Sequence, residues 1–385
     1  MPPRPYEDYR IGWICALSIE MVAARAMLDE EHGLIRGQGQ DTNTYYGGRI
    51  HDHNVIIACL PAGVSSLVSA THVGKDMIRT FRELRFVLLV GIGGGIPDLP
   101  THDIRLGDVV VSRPGESHGG VTQLDKGKAI HGGIFRRQGS LNAPPNTLLT
   151  AISALDVEHR LNDGSTNISN YLSDILRRGP HMRSYGYPGV EKDRLFHADY
   201  PHPPENPTCS KCNSAHEIHR KLRYNTIPQI HYGVIASGNL VVKNPVYREE
   251  LRRDASALCV ETEAAGLMNI LPCLVVRGIC NYADSHKNDI WHPYAAATAA
   301  AFTKELLLYV STDQTDHEEP ISESLGHIQQ YIEYQEPFQC QEAMEQTRDN
   351  SRMLQANQIY NLDAYEEQRN HSRTTSAGLL EDAKY

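Results

Sequence analysis

The stretch "RFVLLVGIGGGIPD", residues 85–98, is an apolar run that ends in a cluster of glycines. A short apolar run bounded by turn residues is typical of a strand that is buried on both faces of a sheet. Similar runs follow at Ile11–Ala16, "HNVIIACLP" (53–61), "GDVVVS" (107–112), "IPQIHYGVIASGNLVV" (227–242) and "PCLVVRGICNYAD" (272–284). These runs predict the strands of one large sheet.

Helical patterns separate the predicted strands. They begin at about Ser18 and recur at "SLVSATHVGKDMIRTF" (66–81), within "YREELRRDASALCVETEAAGLMNIL" (247–271) and at "PYAAATAAAFTKELLLYV" (293–310). Buried strands that alternate with helices predict an α/β fold with a mainly parallel, twisted sheet covered by helices on both faces.

Composition limits the kind of protein this is. The chain has 385 residues, 40% of them hydrophobic, which indicates a globular protein with ample core. The first residues, "MPPRPYEDYR", lack the apolar centre of a signal peptide, and the longest apolar run is too short to span a bilayer. Eight cysteines scattered over this length do not form a disulfide framework. We therefore expect a cytoplasmic protein with no membrane partner.

Charge divides the chain in two. Residues 313–385 hold 15 acidic and 5 basic residues, which leaves 32 of each sign elsewhere and places the whole net charge of −10 in the tail. Because no basic domain is present, we expect no nucleic-acid partner. We expect a domain at 1–312, with excursions at about 113–147 and 186–214, followed by a partly helical or disordered acidic tail at 313–385.

Two motifs carry candidate chemistry. The glycines of "GIGGG" (91–95) would let backbone N–H groups approach a sugar or phosphate, although a tight turn or close packing would also explain them. In "CVETEAAGL" (259–267), Glu261, Thr262 and Glu263 lie among apolar residues. A buried carboxylate needs strong donors, such as paired ribose hydroxyls, and the alternative is an acid at a helix N-terminus.

Five motifs in order resemble the purine nucleoside phosphorylase and 5′-methylthioadenosine nucleosidase superfamily. They are "IGWICAL" followed by Glu20, "VGIGGG", "GVIASGN", "VETEAAG" and "VVRGICNYAD". The detail is most similar to phosphorylase-like domains of immune-type receptors in filamentous fungi, over roughly residues 8–310. The resemblance implies a three-layer fold with a mixed central sheet, no cofactor, and a homo-oligomer.

The resemblance also implies roles for individual residues. Glu263 matches the glutamate that binds the ribose 2′ and 3′ hydroxyls, and Gly93 and Gly94 lie under the sugar. Val241 and Val242 fall where the family holds the purine. The catalytic candidates are Glu20, which orients an attacking water, Arg277 beside that water, and Asn281 and Asp284 near the leaving base.

The residues favour hydrolysis over phosphorolysis. Cleavage of an N-glycosidic bond passes through a cationic sugar that a carboxylate stabilises, and the nucleophile beneath it decides the product. Glu20 supplies the general base that a nucleosidase needs, whereas a phosphorylase needs groups that bind phosphate. The alternatives are a phosphate-dependent purine nucleoside phosphorylase and a catalytically silent nucleotide-binding sensor.

Asn281 stands where the nucleosidases have an aspartate that protonates the purine. An amide donates a hydrogen bond but no proton, and general acid catalysis contributes about 10²–10⁴-fold. A native Asn could suit a 6-oxopurine, or Asp284 or a water could protonate the base. We favour a third interpretation, an engineered Asp-to-Asn change that traps the substrate, because the surrounding residues follow the Asp-containing pattern.

Two further clusters have weaker signals. Lys126, Lys128, Arg136 and Arg137 are candidates for binding a 5′-phosphate, since related domains include ATP nucleosidases, although a solvated loop would also explain them. "CSKC" (209–212) has zinc-ligand spacing, with His197, His202, His216 and His219 nearby. These ligands lie in a proline-rich excursion and the reaction needs no metal, so we expect a plain loop and no metal.

Overall fold

Short runs of buried aliphatic residues form most of the strands. The computed structural model describes residues 4–116, 118–131, 134–162 and 166–324. Its strands are β1 (Ile11–Cys15), β2 (Glu30–Arg36), β3 (Thr44–Ile50), β4 (His53–Cys59), β5 (Phe86–Gly95), β6 (Val109–Ser112), β7 (Val121–Gln123), β8 (Gly127–Ile130), β9 (Ile134–Arg137), β10 (Ile230–Ser237), β11 (Ala257–Glu261) and β12 (Cys273–Asn281).

The described strands build one mixed sheet and a separate hairpin. The sheet has the order β11-β10-β6-β12-β5-β1-β4-β3-β2, with β7 paired to β10, and β8 and β9 form the hairpin. Strand β5 runs parallel to both β1 and β12, while β2, β3 and β4 form an antiparallel meander. An antiparallel pairing of β11 with the end of β5 folds the sheet back on itself. The predicted mixed α/β architecture is confirmed.

Helices cover the sheet. They are α1 (Ser18–Ala26), α2 (Leu67–Thr80), α3 (Asn146–Leu161), α4 (Ile168–Arg177), α5 (Pro245–Ala255), α6 (His292–Leu306) and α7 (Thr312–His317). Helix α6 is rich in alanine and almost entirely buried, and it packs directly on β12. A side chain at Gly278 would overlap the carbonyl group of Ala295, so this glycine sets how closely the helix approaches the sheet.

Two elements differ from the sequence prediction. Ala257–Glu261, which we predicted within a stretch with helical pattern, is the fully buried strand β11. The break comes at Ser256, whose left-handed φ of 49° ends α5 immediately before the strand. The glycines of residues 91–95 do not form a turn after a strand but continue β5 to Gly95.

The excursions and the tail have different outcomes. The excursion at 113–147 contains β7, β8 and β9, and the one at 186–214 contains short 3₁₀ helices. Met1–Ser324 forms one compact unit. Most of the predicted acidic tail, residues 325–385, lies outside the described residues. Within the ranges described here, no helix is both long and apolar enough to cross a membrane.

Candidate active site

A cavity lies where β1, β5, β10, β11 and β12 end. Ligands of open α/β sheets usually bind beyond the carboxyl ends of the strands, because the loops that follow the strands meet there. The cavity is lined by Ala16, Leu17, Glu20, Ser65, Ile92, Gly93, Leu240, Val241, Val242, Val260, Glu261, Thr262, Glu263, Cys280, Asn281, Lys287 and His292. Most of the residues predicted from the sequence are therefore brought together.

Glu20 is fixed by backbone N–H groups at the start of α1. Its Oε2 accepts hydrogen bonds from the amides of Ala16 (2.7 Å) and Leu17 (2.9 Å), and its Oε1 accepts one from Ile92 (2.8 Å). The side chain is buried, which raises the pKa of Glu20, while Arg277 and these amides act to lower it. The result is a preorganised carboxylate that faces the cavity.

Arg277 joins the two glutamates of "VETEA". Its Nη2 donates to Glu261 Oε2 and, at 3.1 Å, to Glu263 Oε2. Glu261 also accepts hydrogen bonds from the amides of Glu263 (3.1 Å) and Ala264 (3.0 Å). Glu263 Oε1 accepts a hydrogen bond from the Thr262 hydroxyl. Glu261 is therefore held by internal donors, and Glu263 is the glutamate that remains suited to a ligand.

Burial shifts the ionisation of these groups. Burial raises the pKa of Glu263 to about 7, with Arg277 acting against the shift and Glu261 adding to it. For Arg277, burial acts to lower the pKa of the guanidinium, but Glu261, Glu263 and Glu20 raise it overall. Arg277 is thus a permanent cation, whereas Glu263 needs further hydrogen-bond donors to be fully ionised at neutral pH.

Gly91 makes room for the charged groups. A Cβ at this position would lie 2.5 Å from Glu20 Oε1 and closer still to Arg277 Nη1. Arg277 is 0% exposed and, within the part of the chain that the structure describes, its Nε and Nη1 have no hydrogen-bond partner. The first glycine of "GIGGG" therefore serves the packing of two charged groups, whereas Gly93 lines the cavity.

Asn281 ends β12 at the cavity. Its Oδ1 accepts a hydrogen bond from the amide of Ala283 (2.9 Å), and its Nδ2 lies 3.1 Å from Cys280 Sγ. Ala283 has a left-handed φ of 52°, so the chain turns sharply after the strand and fixes the amide side chain. Gly94 is not among the lining residues; a Cβ there would meet Asn281 Oδ1 at 3.0 Å.

Asp284 is not brought into the cavity. Its Oδ2 lies 3.3 Å from Arg248 Nη1, and its Oδ1 accepts a hydrogen bond from the amide of His286 (2.9 Å). The side chain is buried in this ion pair rather than facing a ligand. Asp284 therefore has no path to a purine in this cavity, which removes the physical basis for giving it the role of the missing acid.

Apolar side chains form one wall. Val241 and Val242, predicted from the sequence, line the cavity together with Leu240. Leu240 is 56% exposed and Val241 54% exposed, so both present aliphatic surface that a ligand in the cavity can cover. This wall suits a flat, apolar group such as a purine.

Sequence reasoning missed three polar residues of the cavity. Ser65 precedes α2, Lys287 follows the "NYAD" segment, and His292 begins α6. Lys287 lies in a polar cluster that follows a predicted buried strand, and this position could have identified it as a site residue. Ser65 comes from a loop and His292 from the first position of α6, and the approach of both to the cavity depends on tertiary packing.

The basic residues predicted for a 5′-phosphate lie on the β8–β9 hairpin or, for Lys126, immediately before it. Lys128 stands opposite Arg136 in the hairpin register, and neither Lys126, Lys128, Arg136 nor Arg137 lines the cavity. Asp125 precedes the hairpin, and its Oδ2 accepts a hydrogen bond from the amide of Asn239 (3.1 Å). The hairpin is therefore anchored next to the apolar wall that begins at Leu240.

Comparison of the sequence with known proteins finds two kinds of relative. No family model matches the chain. Over 309 residues, 79% of this chain, it is 45% identical to a nucleotide-binding leucine-rich repeat (NLR)-like protein of Hyaloscypha variabilis, of which it covers 30%. Over 79 residues, 19% of this chain, it is 38% identical to the ATP nucleosidase Cap17 of Escherichia coli, of which it covers 16%. The resemblance inferred from the motifs is confirmed. The chain spans less than a third of the length of these relatives.

Solved structures of nucleosidases are also similar. A 5′-methylthioadenosine/S-adenosylhomocysteine nucleosidase of Helicobacter pylori has 17% sequence identity and a TM-score of 0.49, with 78% of this chain and 98% of that chain covered. The futalosine hydrolase of the same organism has 18% identity and a TM-score of 0.48, with 79% and 99% covered.

Proposed function

We propose that the cavity hydrolyses the N-glycosidic bond of a purine nucleoside or nucleotide of the adenosine or ATP type and releases adenine. The observation that carries this proposal is the pair of carboxylates, Glu20 and Glu263, in one cavity with an apolar wall. Glu263 is the group for the ribose hydroxyls, and Glu20 is the base for a water. A carboxylate near the sugar also stabilises the positive charge that develops as the bond breaks.

The reaction balances with these groups. Glu20 takes a proton from water, the water oxygen bonds to C1′ of the sugar, and the electrons of the C1′–N9 bond leave with the purine. Arg277 is 0% exposed and is not among the residues that line the cavity, so the predicted contact with that water is not made; Arg277 packs beside Glu20 at Gly91 and balances the buried carboxylates instead. The leaving purine must gain one proton to become adenine; Asn281 cannot give it, so in this chain the proton comes from solvent water. The parent chain is therefore expected to bind substrate and turn it over slowly.

Phosphorolysis is less well supported. A phosphate nucleophile needs several accessible cations or hydroxyls in the cavity. Arg277 is 0% exposed and paired with two glutamates, so its charge is already balanced. Among the described residues that line the cavity, the basic side chains are Lys287 and His292. A single water molecule needs much less room and charge than phosphate does.

ATP is our preferred substrate for two reasons. Lys128, Arg136 and Arg137 lie on the β8–β9 hairpin and Lys126 immediately precedes it, and the hairpin is anchored beside the apolar wall, where it can bind a 5′-triphosphate. The bacterial relative of 79 matched residues is named an ATP nucleosidase. The NLR-like fungal relative, in turn, supports a role in immunity. A second candidate function in that role is a catalytically silent nucleotide sensor, in which Asn281 would be the natural residue.

The test compares the parent chain with the Asn281→Asp variant. Each is incubated with ATP, adenosine and inosine, with and without inorganic phosphate, and free base is followed by chromatography. Asn170→Asp, an exposed change on α4, is the matched control. Adenine release by Asn281→Asp without phosphate supports hydrolysis. Release that requires phosphate supports phosphorolysis, and binding without release by every variant supports the sensor.

A further inference from the structure

Four potential metal ligands meet beneath the excursion that contains "CSKC". One polar side-chain atom from each of His202, Cys209, Cys212 and His286 lies within 4.8 Å of all the others. Three of them belong to the excursion, and His286 belongs to the loop that follows β12. Cys212 and His286 are buried, and the other two are partly buried. Two thiols and two imidazoles in one place form a Cys₂His₂ ligand set.

The distances match a tetrahedral ion. His286 Nδ1 lies 3.7 Å from Cys209 Sγ and 3.8 Å from Cys212 Sγ. Zinc bonds of about 2.3 Å to sulfur and about 2.0–2.1 Å to nitrogen give a sulfur–nitrogen separation of about 3.6 Å at a tetrahedral angle. The observed separations are therefore within a few tenths of an ångström of those in a zinc site.

The ring orientation of His286 also suits a metal ligand. Its Nε2 lies 3.0 Å from the carbonyl oxygen of Tyr200, and a carbonyl can only accept a hydrogen bond. The proton of the neutral ring is therefore on Nε2, and the lone pair on Nδ1 points towards the two sulfurs. A backbone carbonyl that orients a histidine in this way is the usual outer partner of a metal-bound imidazole. Phe196 stacks on the ring at 4.1 Å and holds its plane.

The backbone of the Cys-x-x-Cys turn is held independently of its sulfurs. The amide of Cys212 donates to the carbonyl oxygen of Cys209 at 3.0 Å, and Arg194 donates to both carbonyl groups, at 3.2 Å for Cys212. Arg194 is itself fixed by Glu217 at 2.9 Å. The turn thus presents both Sγ atoms to the same side without using them to maintain its shape.

We propose that His202, Cys209, Cys212 and His286 bind one structural Zn²⁺ ion. Four protein ligands fill a tetrahedral shell, so the ion has no open position for chemistry and acts as a cross-link. It joins the excursion to the loop that carries Lys287, a residue of the cavity. The proposal departs from our sequence-based expectation of a plain loop. The fourth ligand is 74 residues from Cys212 in the chain, not one of the neighbouring histidines at 197, 216 or 219.

The first test is the metal content of the full chain. The protein is purified without chelator, Zn²⁺ is added, and the excess is removed. Bound zinc is then measured by mass spectrometry. We expect about one zinc per chain, and a loss of at least tenfold in Cys209→Ser and Cys212→Ser. His219→Ala replaces an exposed histidine that follows the excursion and lies outside the cluster, and this variant should retain the ion. A parent chain without zinc after reconstitution, or full zinc in Cys212→Ser, would overturn the proposal.

Cobalt substitution of the parent chain tests the ligand set without any variant. Replacement of the ion by Co²⁺ should give intense visible bands of tetrahedral cobalt and a near-ultraviolet thiolate-to-cobalt band. Weak octahedral bands without the thiolate band would contradict the assignment. Intact mass after denaturation gives a further check, because a Cys209–Cys212 disulfide would make the chain two hydrogens lighter and overturn the proposal. None of these measurements depends on nucleosidase activity.

Discussion

At the scale of single residues, Arg277 determines how three carboxylates share one buried site. An ion removed from water is stable only if its charge is balanced and its hydrogen bonds are satisfied. Arg277 contacts Glu261 and Glu263, and it acts on the ionisation of Glu20. This arrangement leaves Glu20 and Glu263 facing the cavity with defined positions, which is what catalysis by general base and charge stabilisation requires.

Removal of Arg277 should destabilise the fold. Arg277→Met would leave Glu261 and Glu263 buried without their cation, which typically costs about 3–5 kcal/mol. Urea unfolding measures the change in the free energy of unfolding. Arg253→Met is the matched control, because Arg253 is an exposed residue of α5 whose removal should cost less than about 1 kcal/mol. Equal effects of the two variants would contradict the buried network.

Replacement of Glu20 should remove the general base without changing the affinity for substrate. In the Asn281→Asp background, Glu20→Gln keeps the shape of the side chain and should lower kcat by about 10²–10⁴-fold, the usual contribution of a general base. The affinity for substrate should change little, since in the proposed mechanism Glu20 contacts the attacking water and not the purine. Exposed Glu7→Gln is the control. An unaltered kcat in Glu20→Gln would exclude the proposed role.

The ionisation of Glu263 should make substrate binding depend on pH. The pKa of Glu263 is about 7, and its ionised form can accept hydrogen bonds from both ribose hydroxyls. The affinity for adenosine, which has no phosphate to titrate, should therefore rise as the pH increases from about 5.5 through 7 and level off above it. Calorimetry on the parent chain measures the affinity. Glu263→Gln should bind more weakly with no such rise, and a parent profile that is flat over this range would refute the assignment.

At the scale of elements, the site is assembled by strand ends that the sequence largely predicts. The apolar runs of β1, β5, β10 and β12 are followed by Glu20, the glycines, the apolar wall and Asn281, and the parallel pairing of neighbouring strands brings these segments together. Strand β11 was not predicted, because it follows α5 without a glycine or proline and the break depends on one left-handed serine. Local patterns carry no information about such a break.

The β8–β9 hairpin should determine the preference for a 5′-phosphate. Reversal of two opposed charges, Lys128→Glu with Arg136→Glu, should lower kcat/KM for ATP at least tenfold in the Asn281→Asp background and leave adenosine unaffected. The loss should be smaller at high salt, because exposed charges are screened. The matched control reverses two exposed charges of α2, Lys75→Glu with Arg79→Glu. Equal losses for ATP and adenosine would contradict this role of the hairpin.

At the scale of the whole molecule, contacts between residues far apart in the chain determine the roles of side chains that local sequence does not predict. Asp284 is paired with Arg248, and His286 meets the cysteines of an excursion more than 70 residues earlier, so neither role follows from local sequence. The family motifs did predict the fold, and eight of the 17 residues that line the cavity are among the predicted site residues. What they could not predict is which polar groups face the ligand and which are used inside the protein.

The most direct test of the account is the rate of adenine release from ATP, without phosphate, in Asn281→Asp relative to the parent chain. The two side chains have nearly the same shape, and the amide of Ala283 can donate to either, so the change introduces a proton donor with little disturbance of the site. We predict an increase of about 10²–10⁴-fold. Equal rates in the two proteins, or no adenine from either, would contradict the proposal that this cavity is a nucleosidase site.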